Sequence, residues 1–115
     1  MTLFEKALVL HLIGDWLLQN DWMARNKNNL RHPAAWVHSG IHALLQGLVF
    51  GWIGGLALGA AHLFIDTRIP QTWWSRTFMQ TDSGELRLHV VIWGDQVMHI
   101  STIALWILVA PRLFA

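Results

Sequence analysis

HLIGD at residues 11–15 and HLFID at residues 62–66 place a histidine four residues before an aspartate, each within an apolar run. Four residues advance an α-helix by about 6 Å and turn it only about 40° beyond one full circle. The two side chains of each pair therefore lie on one face of a helix. Each stretch predicts a helix that presents two polar, metal-competent groups in a single direction.

The composition predicts a membrane protein. The chain has 115 residues, of which 54% are hydrophobic and 13% are charged, against roughly 25% charged residues in ordinary soluble domains. No Asp, Glu, Lys or Arg occurs between Arg31 and Asp66, and Asp95 is the only one from Leu88 to Pro111. Such runs are long enough to cross a bilayer. We expect residues 1–115 to form a single transmembrane domain.

Four helices account for the apolar runs, and we predict an all-α, integral membrane, up-and-down four-helix bundle. Pro33 suits the first turn of the second helix, and Gly54-Gly55 is the expected break before the third. Pro70 stops the third helix, which is short for a full crossing. Residues 71–85 are expected to form an interfacial connection. The predicted helices cover residues 3–24, 33–53, 56–69 and 86–109.

The positive charges predict the orientation, because cytoplasmic connections carry an excess of Lys and Arg. The first and third connections together carry six Lys or Arg residues, whereas the side of the membrane that holds the termini carries only Lys6 and Arg112. We expect these two connections to lie in the cytoplasm. We therefore expect a multi-pass protein of the bacterial inner membrane with both termini outside. The charges of the first and third connections are Arg25, Lys27, Arg31, Arg68, Arg76 and Arg87.

Membrane lipid is the expected partner of the chain. The net charge of +1 gives no case for nucleic acid. The small surface of four short helices favours a homo-oligomer.

Each predicted helix carries one polar pair at positions i and i+4, and alternating helix directions bring the pairs to similar depth. The pairs are His11 with Asp15, His38 with His42, His62 with Asp66, and Asp95 with His99. Because alternate helices run in opposite directions, the eight residues fall into two layers at different depths in the membrane. The deeper layer is predicted to contain His11, His42, His62 and His99. It predicts a shallower layer, nearer water, of Asp15, His38, Asp66 and Asp95. The order of the pairs also suggests a duplicated helical hairpin, since Trp22 and Trp73 each follow the first histidine of their half by eleven residues.

Eight ionisable groups in hydrocarbon require partners, because each costs several kcal/mol unless it pairs, ligates or faces water. Imidazole and carboxylate ligands without thiolate suit Zn, Fe or Mn, and eight ligands are enough for two ions, with Zn preferred. The alternative is a set of neutral His–Asp hydrogen bonds that fixes helix packing or relays protons. Gln19, Gln46 and Gln96 are the expected residues that orient the ligands.

The motifs HLIGDWLLQ, HSGIH, HLFID and GDQVMH resemble an uncharacterised family of small bacterial and phage membrane proteins with HxxxD[FW]xxQ, HxxxD and DQxxH motifs. The resemblance implies a polytopic membrane protein and no established activity. The His and Asp content is more distantly similar to inner-membrane metal-dependent hydrolases. The motif positions that the resemblance implies are His11, Asp15, Gln19, His42, His62, Asp66, Asp95, Gln96 and His99.

Three functions fit these residues. The leading hypothesis is a metal-dependent hydrolase that acts on a lipid-linked or phosphorylated substrate at the cytoplasmic leaflet, with Asp15, Asp66 and Asp95 as catalytic carboxylates and the four-histidine layer as a closed structural site. The second is a transporter or channel for metal ions or protons that uses the same layers. The third is redox chemistry at a haem or di-iron centre.

Overall fold

The computed structural model describes residues 1–114, and every regular element within that range is helical. The prediction of an all-helical chain is confirmed. Two of the helices, Pro33–Asp66 and Gly84–Leu113, are long and apolar enough to cross a membrane. The elements are α1 (Leu3–Leu12), a π-helical turn (Ile13–Leu17), α2 (Asp21–Asn26), α3 (Pro33–Asp66), α4 (Ile69–Thr77) and α5 (Gly84–Leu113).

The first predicted helix, residues 3–24, is divided into three pieces. A capping box between Thr2 and Glu5 begins α1, and after Leu12 the chain widens into the π-helical turn. Helical geometry stops at Leu18, and the side chain of Asn20 then accepts a hydrogen bond from the backbone N–H of Met23 to begin α2. The prediction of one continuous helix was wrong because the helix-capping preference of Asn20 overrides the apolar periodicity.

Helix α3 is folded back on itself at Gly51. This residue has φ 80° and ψ 178°, whereas its neighbours are helical. A straight helix would separate His38 and His62 by about 36 Å, but their Nε2 atoms are 3.0 Å apart. The chain from Pro33 to Asp66 is therefore a helical hairpin with arms at residues 33–50 and 52–66.

The break between these arms was predicted at Gly54-Gly55 and lies three residues earlier. Gly51 alone supplies the positive φ that reverses the chain, a conformation that costs glycine little. Gly55 instead lies where the arms are in closest contact, and a Cβ there would be 2.5 Å from the carbonyl oxygen of Ala43. Both glycines are needed for the hairpin, but for different reasons.

The predicted connection at residues 71–85 contains a helix. Pro70, the expected stop, occupies the first turn of α4, where a proline costs no hydrogen bond. The Gln71 side chain donates to the carbonyl oxygens of Val90 and Val91 at 3.2 and 2.7 Å, which fixes α4 against α5. Helix α5 begins at Gly84 and continues through Pro111 to Leu113, so it is longer than the predicted 86–109 at both ends.

The two ends of the assembled helices differ from each other, and the outside between them is apolar. Ala7, Leu58 and Ile103 form a small buried cluster near the end that holds both termini. The connections 18–32 and 67–83 meet at the opposite end, where Lys27 approaches Asp66. Between the two ends, large apolar side chains cover the outside, among them Leu44, Leu48, Trp52, Trp93 and Leu108, each more than half exposed.

Candidate metal centre

All eight predicted ligands come together in one buried cluster. The members come from α1, the π-helical turn, both arms of α3 and α5. The five histidines are at most 3% exposed. Asp66 is equally buried, and the side chains of Asp15 and Asp95 are 7% and 15% exposed. The cluster consists of His11, Asp15, His38, His42, His62, Asp66, Asp95 and His99.

Asp15 is at the centre of one half of the cluster. Its Oδ1 lies 3.1 Å from Nε2 of His38, 3.0 Å from that of His42 and 3.4 Å from that of His62. Its Oδ2 accepts a hydrogen bond from the side-chain amide of Gln96 at 2.9 Å. Three imidazoles thus share one carboxylate oxygen while the other oxygen faces α5.

Asp66 is at the centre of the other half. Its Oδ2 lies 3.1 Å from Nε2 of His62 and 3.4 Å from that of His38, and its Oδ1 lies 2.9 Å from Nε2 of His99. Asp95 completes this side, with Oδ1 3.5 Å from Nε2 of His99. His38 and His62 therefore lie between the two aspartates and contact both.

Three sets of these side chains could hold a metal ion. Within each set the ligand atoms lie within 4.8 Å of one another. In a tetrahedral zinc site with bonds of about 2.0–2.1 Å, neighbouring ligand atoms are roughly 3.3 Å apart, close to the 3.0–3.4 Å found around Asp15. The sets are Asp15, His38, His42 and His62; His62, Asp66 and His99; and Asp15, Asp95 and His99.

The crowding around His38 is easier to explain with a cation than with hydrogen bonds alone. Its Nε2 has three polar neighbours within 3.4 Å, the Nε2 of His62 and one oxygen each of Asp15 and Asp66. A single imidazole N–H cannot donate well to all three, and the contact between two nitrogens requires opposite protonation. A cation between these atoms would accept one lone pair from each of them, so no two acceptors would be left facing each other.

The two predicted layers share atoms, because each set within residues 1–114 that could hold a metal ion combines histidine with aspartate. The four histidines of the deeper layer also lie together, with ring centroids of His42 and His62 3.5 Å apart and those of His62 and His99 3.9 Å apart. All four line one void of about 10 Å³. A closed four-histidine site stays a prediction.

The π-helical turn positions Asp15. A π-turn contains an extra residue per turn, which re-aims the side chains, and such turns are frequent at functional sites. Gly14 lies against the His42 ring, and a Cβ there would be 2.7 Å from Cε1 and 2.8 Å from Nε2. The π-helical backbone and the absence of a side chain at Gly14 thus allow Oδ1 of Asp15 to lie 3.0 Å from Nε2 of His42.

The three predicted orienting glutamines have different surroundings. Gln96 lies between His11 and Asp15, with Oε1 3.0 Å from Nε2 of His11 and its amide donating to Asp15. Gln46 instead donates to the backbone carbonyl of Ala7 at 2.9 Å, and Oε1 of Gln19 is buried without a partner within residues 1–114. Of the three, Gln96 is the one that forms hydrogen bonds with the ligands within residues 1–114.

Sequence patterns alone missed one charged neighbour of the cluster. The Nζ atom of Lys27 lies 3.8 Å from Oδ1 of Asp66, and its side chain is only 15% exposed. Lys27 was interpreted as a topology signal because its sequence position relates it only to the first connection. The fold brings this connection over the polar end of the cluster.

Access to the cluster differs between its two ends. Toward the termini there is a void of only about 10 Å³ beside Gln46, Leu58 and Ile103, roughly the space of one water. At the connection end a cavity of about 110 Å³ reaches Asp66 and Asp95 and is lined by Lys27. The larger free space beside the cluster therefore lies at the connection end.

A family model described as a protein of unknown function (DUF3307) matches residues 3–114. The chain belongs to this family. Searches of curated proteins and of solved structures return no match. Membership in DUF3307 agrees with the predicted resemblance to an uncharacterised family, while the motif positions and the distant similarity to membrane hydrolases stay predictions. The function of this DUF3307 chain has to be argued from the cluster.

Proposed function

We propose that the chain is an integral membrane metalloprotein that hydrolyses a lipid-linked or phosphorylated substrate at the cytoplasmic leaflet. The observation that carries the proposal is a buried His/Asp cluster in which Asp66 and Asp95 line a cavity of about 110 Å³ at the connection end. Hydrolysis needs a metal site that substrate and water reach from one side, whereas conduction needs a path through both ends. The space among the histidines beside Gln46 and Leu58 is only about 10 Å³, which favours the enzyme.

The membrane assignment is supported by the surface and the lengths of the helices. The α3 arms of 18 and 15 residues would extend about 27 and 22 Å, and α5 with 30 residues about 45 Å. A bilayer core is about 30 Å thick, so the second arm would require local thinning of the bilayer. In this arrangement four helical segments cross the bilayer, and the connections 18–32 and 67–83 lie in the cytoplasm.

We propose two divalent ions, with zinc preferred. The first ion would take the four-residue set of Asp15, His38, His42 and His62. The second would take Asp95 and His99 and share Asp15, whose two oxygens face different halves of the cluster. Because His62 has one Nε2, the set of His62, Asp66 and His99 would compete with the first site rather than add a third. The carboxylate of Asp66 would then partly neutralise the positive charge of the two ions.

Asp95 is best placed to handle protons. Its carboxylate lines the cavity that opens to the connections, whereas Asp15 lies behind it among the imidazoles. A divalent metal ion supplies hydroxide at neutral pH by lowering the pKa of bound water. Hydrolysis of a phosphoester joins the water oxygen to phosphorus and breaks the bond to the ester oxygen, which leaves as an alcohol after taking a proton. Asp95 would ligate the ion through one oxygen and accept the proton of the water on the other, and Gln96 would hold Asp15 and His11 in place.

The test is phosphoesterase activity of the full chain, purified in detergent without chelator, against a set of phosphomonoesters and lipid phosphates. Asp95→Ala should abolish turnover, while Asp82→Ala, an exposed aspartate in the loop before α5, should retain it. Circular dichroism and thermal unfolding check that both variants stay folded. Equal activity of Asp95→Ala and the wild type would overturn the proposal. So would metal flux into liposomes that is lost in Asp95→Ala without any turnover.

A further inference from the structure

The cavity at the open end of the cluster combines metal-competent carboxylates with cations. It has a volume of about 110 Å³, enough for several waters and hence for a group with a few oxygen atoms. It lies where the first connection, the end of α3 and α5 meet. Its lining consists of Ala24, Arg25, Lys27, Asn28, Asp66, Arg68 and Asp95.

Lys27 is the least exposed of the three cations. Its Nζ lies 3.8 Å from Asp66, too far for a strong hydrogen bond but close enough for an ion pair. Arg25 is engaged elsewhere, because its Nε contacts exposed Asp21 at 2.8 Å. Lys27 and Arg68 are therefore the cations available to a ligand that enters the cavity.

Arg68 is held in a conformation that non-glycine residues rarely adopt. Its φ is 66° and its ψ is 5°, in the left-handed region, at the residue that precedes α4. A left-handed conformation of a residue with a Cβ costs free energy, and such strain clusters at functional sites. Glycine would suit the backbone better, so the side chain of Arg68 requires an explanation beyond the turn itself.

The charge of the cavity depends on the metal. The lining itself holds two carboxylates, Asp66 and Asp95, and three cations, Arg25, Lys27 and Arg68. Two divalent ions held by Asp15, Asp95 and the histidines would more than neutralise the carboxylates. Metal loading would thus strengthen the preference of the cavity for an anion.

From these observations we infer that the cavity binds the phosphate group of a phosphomonoester substrate, between the metal cluster and the side chains of Lys27 and Arg68. This inference rests on the proposed metal-dependent hydrolysis and narrows its substrate class. The phosphate oxygens would accept charge-assisted hydrogen bonds from Nζ of Lys27 and the guanidinium of Arg68. The lipid part of a substrate, where there is one, stays outside the cavity.

The experiment measures inorganic phosphate binding to the full chain in detergent by isothermal titration calorimetry, with the protein zinc-loaded and after chelation. We expect tighter binding to the loaded protein than after chelation. Lys27→Met should weaken phosphate binding about tenfold, the usual effect of losing one charge-assisted hydrogen bond. Lys6→Met, which changes the only other lysine, should leave it unchanged. Phosphate affinity that is equal in Lys27→Met and the wild type would overturn the inference.

A second variant keeps the test valid if Lys27→Met fails to fold. Arg68→Gly removes the guanidinium and relaxes the backbone, so it should unfold at a higher temperature and still bind phosphate about tenfold more weakly. A raised unfolding temperature with unchanged phosphate affinity would contradict the inference.

The two proposals fail separately. Metal-dependent phosphate binding without ester hydrolysis would refute the hydrolase and support the phosphate site. Ester hydrolysis with the same KM in the wild type, Lys27→Met and Arg68→Gly would support the hydrolase and refute the phosphate site.

Discussion

Replacing Gly14 with alanine puts a methyl group into space that the His42 ring occupies. The new Cβ would lie 2.7 Å from Cε1 of His42, whereas ordinary contacts begin near 3.4 Å, so the ring has to move by about 0.7 Å. It cannot recede freely, because its other face is stacked on the His62 ring at a centroid distance of 3.5 Å. The movement would therefore disturb the 3.0 Å approach of His42 to Asp15.

The size of the effect follows from the contact that is disturbed. Disturbing a residue that merely orients a metal ligand costs about tenfold to hundredfold in metal affinity, and displacing the ligand His42 itself should cost at least as much. Overpacking costs the metal-free protein about 1–3 kcal/mol, offset by up to about 1 kcal/mol because alanine favours the helix over glycine. The metal-free protein should thus lose up to about 3 kcal/mol, while the zinc affinity falls at least about tenfold.

Competition with a fluorescent zinc chelator measures this affinity, and thermal unfolding of the metal-free protein measures the stability. Gly40→Ala is the matched control, since a Cβ at Gly40 has nothing within 4 Å. It should keep the wild-type zinc affinity and gain up to about 1 kcal/mol of stability. If Gly14→Ala binds zinc as tightly as Gly40→Ala, the role of the His42–Asp15 contact is wrong.

Three further changes test the fold around the cluster. Gly51→Ala should destabilise the protein by about 1–3 kcal/mol in thermal unfolding, because φ 80° with ψ 178° strongly favours glycine; an unchanged midpoint would argue against the hairpin. Arg68→Gly should stabilise the protein by about 1 kcal/mol, and a loss of stability would show that the guanidinium supports the fold. Because the chain has no cysteine, Asn29→Cys provides a single site for labelling in the first connection. A membrane-impermeant maleimide should label it in inverted vesicles but not in right-side-out vesicles, since this connection is proposed to lie in the cytoplasm. The opposite pattern would reverse the proposed orientation.

The sequence contained enough information to predict the helical class and the members of the cluster. Four i, i+4 pairs fix which residues share a helix face, and the fold brings all eight of them together. What periodicity could not give is how the pairs meet, since that depends on the π-helical turn at Asp15 and on the hairpin at Gly51. Glycine occurs at residues 51, 54 and 55, and only packing between the arms determines which of the three reverses the chain.

Two other features of the structure were also not predicted from apolar periodicity. Asn20 divides the first predicted helix through a hydrogen bond to Met23, a local preference that competes with apolar periodicity. Lys27 approaches Asp66 across 39 positions of the chain, and no local pattern relates them. Long-range contacts of this kind are determined by tertiary packing, so they become visible only when the helices are assembled.

Metal content tests the central claim most directly. The full chain, purified in detergent without chelator, should contain between one and two zinc, iron or manganese ions when measured by inductively coupled plasma mass spectrometry. His62→Ala removes a residue shared by two of the metal-competent sets and should reduce this content by at least about one ion per chain. His89→Ala, which changes a histidine exposed on α5, should not. A wild-type chain with well under one bound ion, or equal metal content in both variants, would contradict the account and leave the cluster as a network of hydrogen bonds.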